Sequence, residues 1–108
     1  MADDKPAWDD AFGIALVGKL VLVGITRHTA EGVMQEQVFG TVETADAHGI
    51  ELVLGGKRSG DRFGLPPDPR AFQVAQPGTY RLRSSRETLT DPDYTAVWTV
   101  EEMRQTDR

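Results

Sequence analysis

The sequence predicts a mainly β domain, a small antiparallel barrel preceded by a short N-terminal helix. Three observations carry that expectation. Apolar residues recur at alternate positions in short runs, as in Tyr80 and Leu82 or Tyr94, Ala96 and Trp98, which is the period of a half-buried strand. Glycine and proline clusters separate the runs and supply turns where a helix would break. A chain of 108 residues with 39% hydrophobic content and no cysteine is long enough to bury one core without disulfides. The missing cysteines also remove thiolate nucleophiles and cysteine-based metal sites.

The elements follow in order. Residues 9–17 begin with Asp9 and Asp10, either of which can cap a short helix, and Gly18 can stop it. Gly13 weakens that helix. Residues 19–25, Lys-Leu-Val-Leu-Val-Gly-Ile, are apolar at both odd and even positions, so this strand is expected to be covered on both faces, on one of them by the helix. After a loop over Thr26 to Met34, a second strand over Gln35 to Thr44 puts Val38, Gly40 and Val42 on one face, with Phe39 breaking the alternation. Asp46-Ala-His-Gly49 turns into a third strand, residues 50–54, and a glycine-rich loop leads to a fourth over 61–65 with Phe63 and Leu65 inward. Residues 79–83 and 94–100 complete six strands, Trp98 lying in the core and Trp8 pinning the helix. Six short strands and one helix fit an SH3-like or Sm-like barrel. Residues 1–8 read as an N-terminal tail, 9–101 as the barrel domain and 102–108 as a C-terminal tail.

Leu65-Pro-Pro-Asp-Pro-Arg-Ala-Phe72 holds three prolines in four residues. Proline donates nothing to a ladder and holds the residue before it extended, so this stretch is a stiff connector anchored by Phe63, Leu65 and Phe72. It also displays Asp68 and Arg70 on a rigid loop. An SH3-type ligand would need an arginine at position 63 or 71, where Phe63 and Ala71 stand.

Net charge is −5, which repels nucleic acid and anionic membrane at long range. The distribution is uneven: nine acids and three bases over 1–56, two acids and seven bases over 57–86, six acids and two bases over 87–108. The basic middle has two readings, charge complementation between neighbouring strands or an anion-binding face made of Lys57, Arg58, Arg62, Arg70, Arg81 and Arg83. Arg81 and Arg83 project on the same side of one strand, about 7 Å apart.

Catalytic motifs fail on inspection. Gly13 to Leu20 matches phosphate-loop spacing until Leu20 stands where a serine or threonine must meet magnesium, and its lysine opens a strand where a helix is required. His28 and His48, the two histidines, fall in expected loops; Asp46 and His48 alone make a weak metal pair. Ser59, Ser84 and Ser85 sit in no nucleophile-elbow pattern. The sequence therefore predicts no catalytic residue, metal or cofactor. The acidic N-terminus and the charged or glycine breaks in residues 14–25 predict a soluble, cytoplasmic protein without membrane association.

Gly18-Lys19, Val21, Val23, Phe39-Gly40, Val42, Asp46, Leu52 and Leu54 resemble the first motif of Sm-like RNA-binding proteins, which implies a helix followed by a five-stranded barrel. Phe39 and Gly40 are adjacent where that family spaces them by one, Gly49 and Ile50 replace its base-contacting residues, and its second-motif Arg-Gly is missing, so the resemblance implies the barrel without the RNA pocket. Over residues 18–100 the chain also resembles small bacterial proteins of unknown function that combine VLVGIT, LPPDPRAF, PGTYRLRS, DPDY and a tryptophan in the last strand. That likeness implies a compact cytoplasmic β domain. The functional expectation is a non-catalytic module that binds a protein partner, or itself, through a strand edge. The competing expectation is RNA or anion binding by the basic 57–86 segment.

Overall fold

Asp9 opens the helix by accepting hydrogen bonds on Oδ1 from the backbone N–H groups of Ala11 and Phe12, at 3.0 and 3.3 Å. The computed structural model describes residues 8–83 and 85–101, so the expected tails lie outside the described residues apart from Trp8. Helix α1 (Asp10–Leu16) ends before Gly18, whose φ of +87° costs little only for glycine. Gly13 stands at the contact: a Cβ there would lie 2.9 Å from the carbonyl oxygen of Ala45 and 2.6 Å from Cζ2 of Trp8. The glycine that weakens the helix is what lets it approach the sheet.

Eight strands follow: β1 (Leu20–Thr29), β2 (Gly32–Asp46), β3 (Gly49–Leu54), β4 (Arg62–Leu65), β5 (Phe72–Val74), β6 (Thr79–Arg81), β7 (Thr88–Thr90) and β8 (Tyr94–Glu101). Six form one sheet in the order β4-β3-β2-β1-β8-β5, and β6 pairs with β7 alone. The fold is mainly β with one α-helix, as expected. β1 and β2 run through the stretch expected to be a loop and turn at Ala30-Glu31, so His28 sits exposed on a strand. β5 and β7, three residues each, are too short for a period to show in the sequence.

Strand direction is corrected as well. β8 runs parallel to β1, Val21 opposite Tyr94 through His28 opposite Glu101, whereas an all-antiparallel barrel was expected. The cause is Asp93. Its backbone N–H donates to the Leu20 carbonyl at 2.8 Å and its Oδ2 accepts from the Leu20 N–H at 2.9 Å, so β8 starts beside the start of β1 and runs the same way. Alternation reports which face a residue takes and is silent about strand direction.

Both faces of β1 are covered, which accounts for apolar residues at both odd and even positions over Leu20–Val23. Val21, Val23 and Ile25 join Val38, Val42, Ile50, Leu52, Leu54, Leu65, Phe72, Ala96 and the helix residue Leu16 in the main core. A β-bulge after Val42 keeps Ala45 on that same face, against α1. Trp8, Phe12, Phe72, Tyr94 and Trp98 pack edge to face around it, with centroids 5.6 to 6.3 Å apart. Trp8 thus pins the helix, although its indole Nε1 is buried with no hydrogen-bond partner among the described residues. On the opposite face Leu20, Leu22 and Phe39 pack against Tyr80, Leu82 and Leu89 of the β6–β7 hairpin. Phe39 breaks the alternation because it belongs to this second core.

The sheet curls, since Leu65 on one edge and Phe72 beside the other share the main core. It does not close. Residues 66–71, the proline stretch, run from the edge strand β4 to the edge strand β5, with Asp68 capping a 3-10 turn over Pro69–Ala71. Leu65 and Phe72 are buried at its two ends. No ladder joins β4 to β5 or β8; three prolines without N–H groups cross where the last pairing would fall.

Candidate functional site

The basic segment separates into two groups. Arg58 pairs with Glu36 at 3.1 Å and Asp61 at 3.3 Å. Arg62 on β4 pairs with Glu43 and, at 3.3 Å, with Glu51. Arg70 pairs with Asp68 through Nε–Oδ1 at 3.1 Å and Nη2–Oδ2 at 3.3 Å, and the hydrogen bond to Arg70 holds the Asp68 carboxyl below its ordinary value. Lys57 donates from Nζ to the Ser85 carbonyl at 3.0 Å, and its backbone N–H donates to Glu87 Oε2 at 2.7 Å. These four lie on separate loops and edges; Lys57, Arg58 and Arg62 tie their segments to neighbouring ones, the complementing role, while Arg70 closes its own turn.

Arg81 and Arg83 remain, joined by Arg86, which the sequence reading did not single out. The three line one open hollow of about 570 Å³ at the turn between β6 and β7, with Leu82 as its base. The turn is held by two backbone bonds, Leu82 N–H to Glu87 O and Arg86 N–H to Leu82 O, both 2.8 Å, and by a bond from Arg83 N–H to the Gln37 side chain, Oε1, at 2.5 Å. Arg86 has φ +64°, an unusual conformation for a side chain with a Cβ. β6 ends at Arg81, so Arg83, expected on the same strand, lies instead in the turn with Arg86, where no strand period reaches. Among the described residues no carboxylate forms an ion pair with Arg81, Arg83 or Arg86.

A second feature lies on the other face, at the open seam. Leu54 N–H donates to Asp61 O at 2.8 Å, and the β3–β4 register places Leu52 opposite Phe63 and Ile50 opposite Leu65. Alternate residues of an antiparallel edge point their backbone groups away from the neighbour, so Arg62 and Gly64 present theirs outward. β5 pairs with β8 only from Tyr94 to Ala96, leaving the outer side of residues 97–101 without a strand partner among the described residues. Phe63, Gly64, Leu65 and Pro66 share a cleft of about 210 Å³ with Ile25, Arg27 and Trp98. The walls are largely apolar and both flanking strands have unpaired backbone.

The histidines do not meet. His48 N–H donates to Asp46 Oδ1 at 2.8 Å, so that carboxylate serves its own turn; His28 lies at the far end of β1. Among the described residues no group of three or more His, Asp or Glu side chains is placed to hold a metal ion, and no helix is long and apolar enough to cross a membrane. No protein family matches the chain, and no curated protein or solved structure matches it either.

Proposed function

We propose that this protein is a non-catalytic, cytoplasmic interaction module, an SH3-like or Sm-like barrel left open at one seam, that binds an extended segment of a partner protein by strand addition. The carrying observation is the pair of unpaired strand edges, β4 and the distal part of β8, bordering one cleft with Phe63, Leu65 and Trp98 in its walls. An added strand gains affinity from main-chain hydrogen bonds and specificity from alternate side chains entering such a cleft. The proline crossover favours this reading, because it holds the seam apart without competing for the backbone groups of either edge. RNA binding by the whole basic segment is weakened by net charge −5 and by the acidic partners of Arg58, Arg62 and Arg70.

The test is selection of short peptides from a random display library on the intact protein, with contacts mapped by backbone amide shifts. The expected peptides perturb Arg62, Gly64 and residues 97–101. Gly64→Pro removes one outward N–H at a place where an added Cβ meets no atom within 4 Å. This variant is expected to keep its melting temperature and to lose peptide binding at least tenfold. Peptides that bind Gly64→Pro as well as wild type, or that shift only other surfaces, contradict the proposal.

A further inference from the structure

We infer that the turn between β6 and β7 is a binding site for a small, multiply charged phosphoryl anion, held by Arg81, Arg83 and Arg86. The chain has 17 acids and 12 Lys or Arg residues, so carboxylates are available for its cations. Arg58, Arg62 and Arg70 use them. Among the described arginines, the three around one hollow are those without a described carboxylate partner, and neighbouring like charges repel unless a counter-charge joins them. The turn is anchored to the fold: Leu82, 1% exposed, sits in the second core, Leu82 N–H donates to Glu87 O, Arg86 N–H donates to Leu82 O, and Arg83 N–H donates to Gln37 Oε1.

Guanidinium groups present paired N–H donors in a planar fork that matches phosphoryl oxygens, and several together favour a dianion over a monoanion. Among the described residues the hollow is bounded by Arg81, Leu82, Arg83 and Arg86 alone, so the three guanidinium groups serve one place. A nucleic-acid strand would need a track of charge and stacking rings. Here the adjacent aromatic, Tyr80, packs in the second core and donates its hydroxyl to the Gln76 carbonyl at 2.7 Å, and the net charge opposes a polyanion at long range. The site lies on the opposite face of the sheet from the seam and stands independently of strand addition.

Titration calorimetry at low ionic strength tests it with inorganic pyrophosphate, phenyl phosphate and single-stranded poly-uridylate as probes. Saturable binding of pyrophosphate, phenyl phosphate or both is expected, weakening as salt rises, and the stronger of the two tells a free from an esterified phosphoryl ligand. Arg81→Ala and Arg83→Ala are each expected to weaken binding about tenfold. Arg83→Lys, which keeps the charge and loses the fork, is expected to fall between Arg83→Ala and wild type, while Arg70→Ala and Gly64→Pro bind like wild type. Absence of saturable binding by both small anions, wild-type affinity in Arg81→Ala and Arg83→Ala, or tighter binding of poly-uridylate through the same arginines would overturn the inference.

Discussion

Single residues in this protein are decided by what lies within a few ångströms of the Cβ. Gly13 and Gly24 occupy regular structure with ordinary φ, yet a Cβ on Gly13 meets the Ala45 carbonyl at 2.9 Å and one on Gly24 meets nothing within 4 Å. Gly13→Ala gains about 1 kcal/mol of helix propensity, but crowding a packed contact costs about 1–3 kcal/mol. The obstructing atoms are the half-buried Trp8 ring and the Ala45 carbonyl, so crowding wins. A lower melting temperature is expected for Gly13→Ala, and likewise for Gly40→Ala, whose Cβ would lie 2.5 Å from the Val53 carbonyl oxygen. Gly24→Val, in an open strand position, is expected to melt at or above the wild-type temperature. Thermal unfolding of the three variants checks all of this; a destabilised Gly24→Val alongside a stabilised Gly13→Ala would reverse the packing described. The sequence showed Gly13 only as a weak helix former, because its reason lies in β2, far along the chain.

At the scale of elements, one carboxylate joins the loop after β3 to the β6–β7 hairpin. Glu87 accepts from the Lys57 backbone N–H at 2.7 Å, and hydrogen bonding from Ser85 first, then that backbone bond and the Lys57 charge, lowers its pKa. A carboxylate held below its unfolded value adds stability above the unfolded pKa, and that stability is lost as pH falls through the folded one. The hairpin is therefore expected to loosen as pH falls through and below the ordinary glutamate range. Amide exchange of β6 and β7 followed across that range should accelerate in wild type. Glu87→Gln should lose that component of acid sensitivity, and an unchanged response in the variant would remove Glu87 from the role. Asp93 acts similarly between β8 and β1: Asp93→Ala gives up its side-chain hydrogen bond to Leu20, with an expected loss of about 0.5–1.5 kcal/mol measured by denaturant unfolding. DPDY was readable as a turn, but not as the clamp that makes β8 parallel.

For the whole molecule, alternation and punctuation disclosed most of the strand inventory, the helix and the proline connector. Val21, Val23, Leu52, Leu82 and Ala96 all face inward as their periods imply. Strand neighbours were hidden, because pairing between β1 and β8 joins residues more than seventy positions apart and no local pattern encodes it. The same gap concealed the seam, which exists only because β4 and β5 end on opposite edges of the curled sheet. Of the candidate residues, the strand period places Arg81 on β6; Arg83, Arg86 and the β4–β8 cleft depend on a turn and a topology that only the fold supplies.

Residue-resolved amide hydrogen exchange of the free protein tests the open seam most directly, by comparing two neighbours on β4. Phe63, facing β3, should exchange slowly, and Gly64, facing outward, should exchange at nearly the rate of an unprotected amide until a selected peptide is added. Equal, strong protection of Phe63 and Gly64 in the free protein would mean that another strand already occupies the edge, and strand addition there would be wrong.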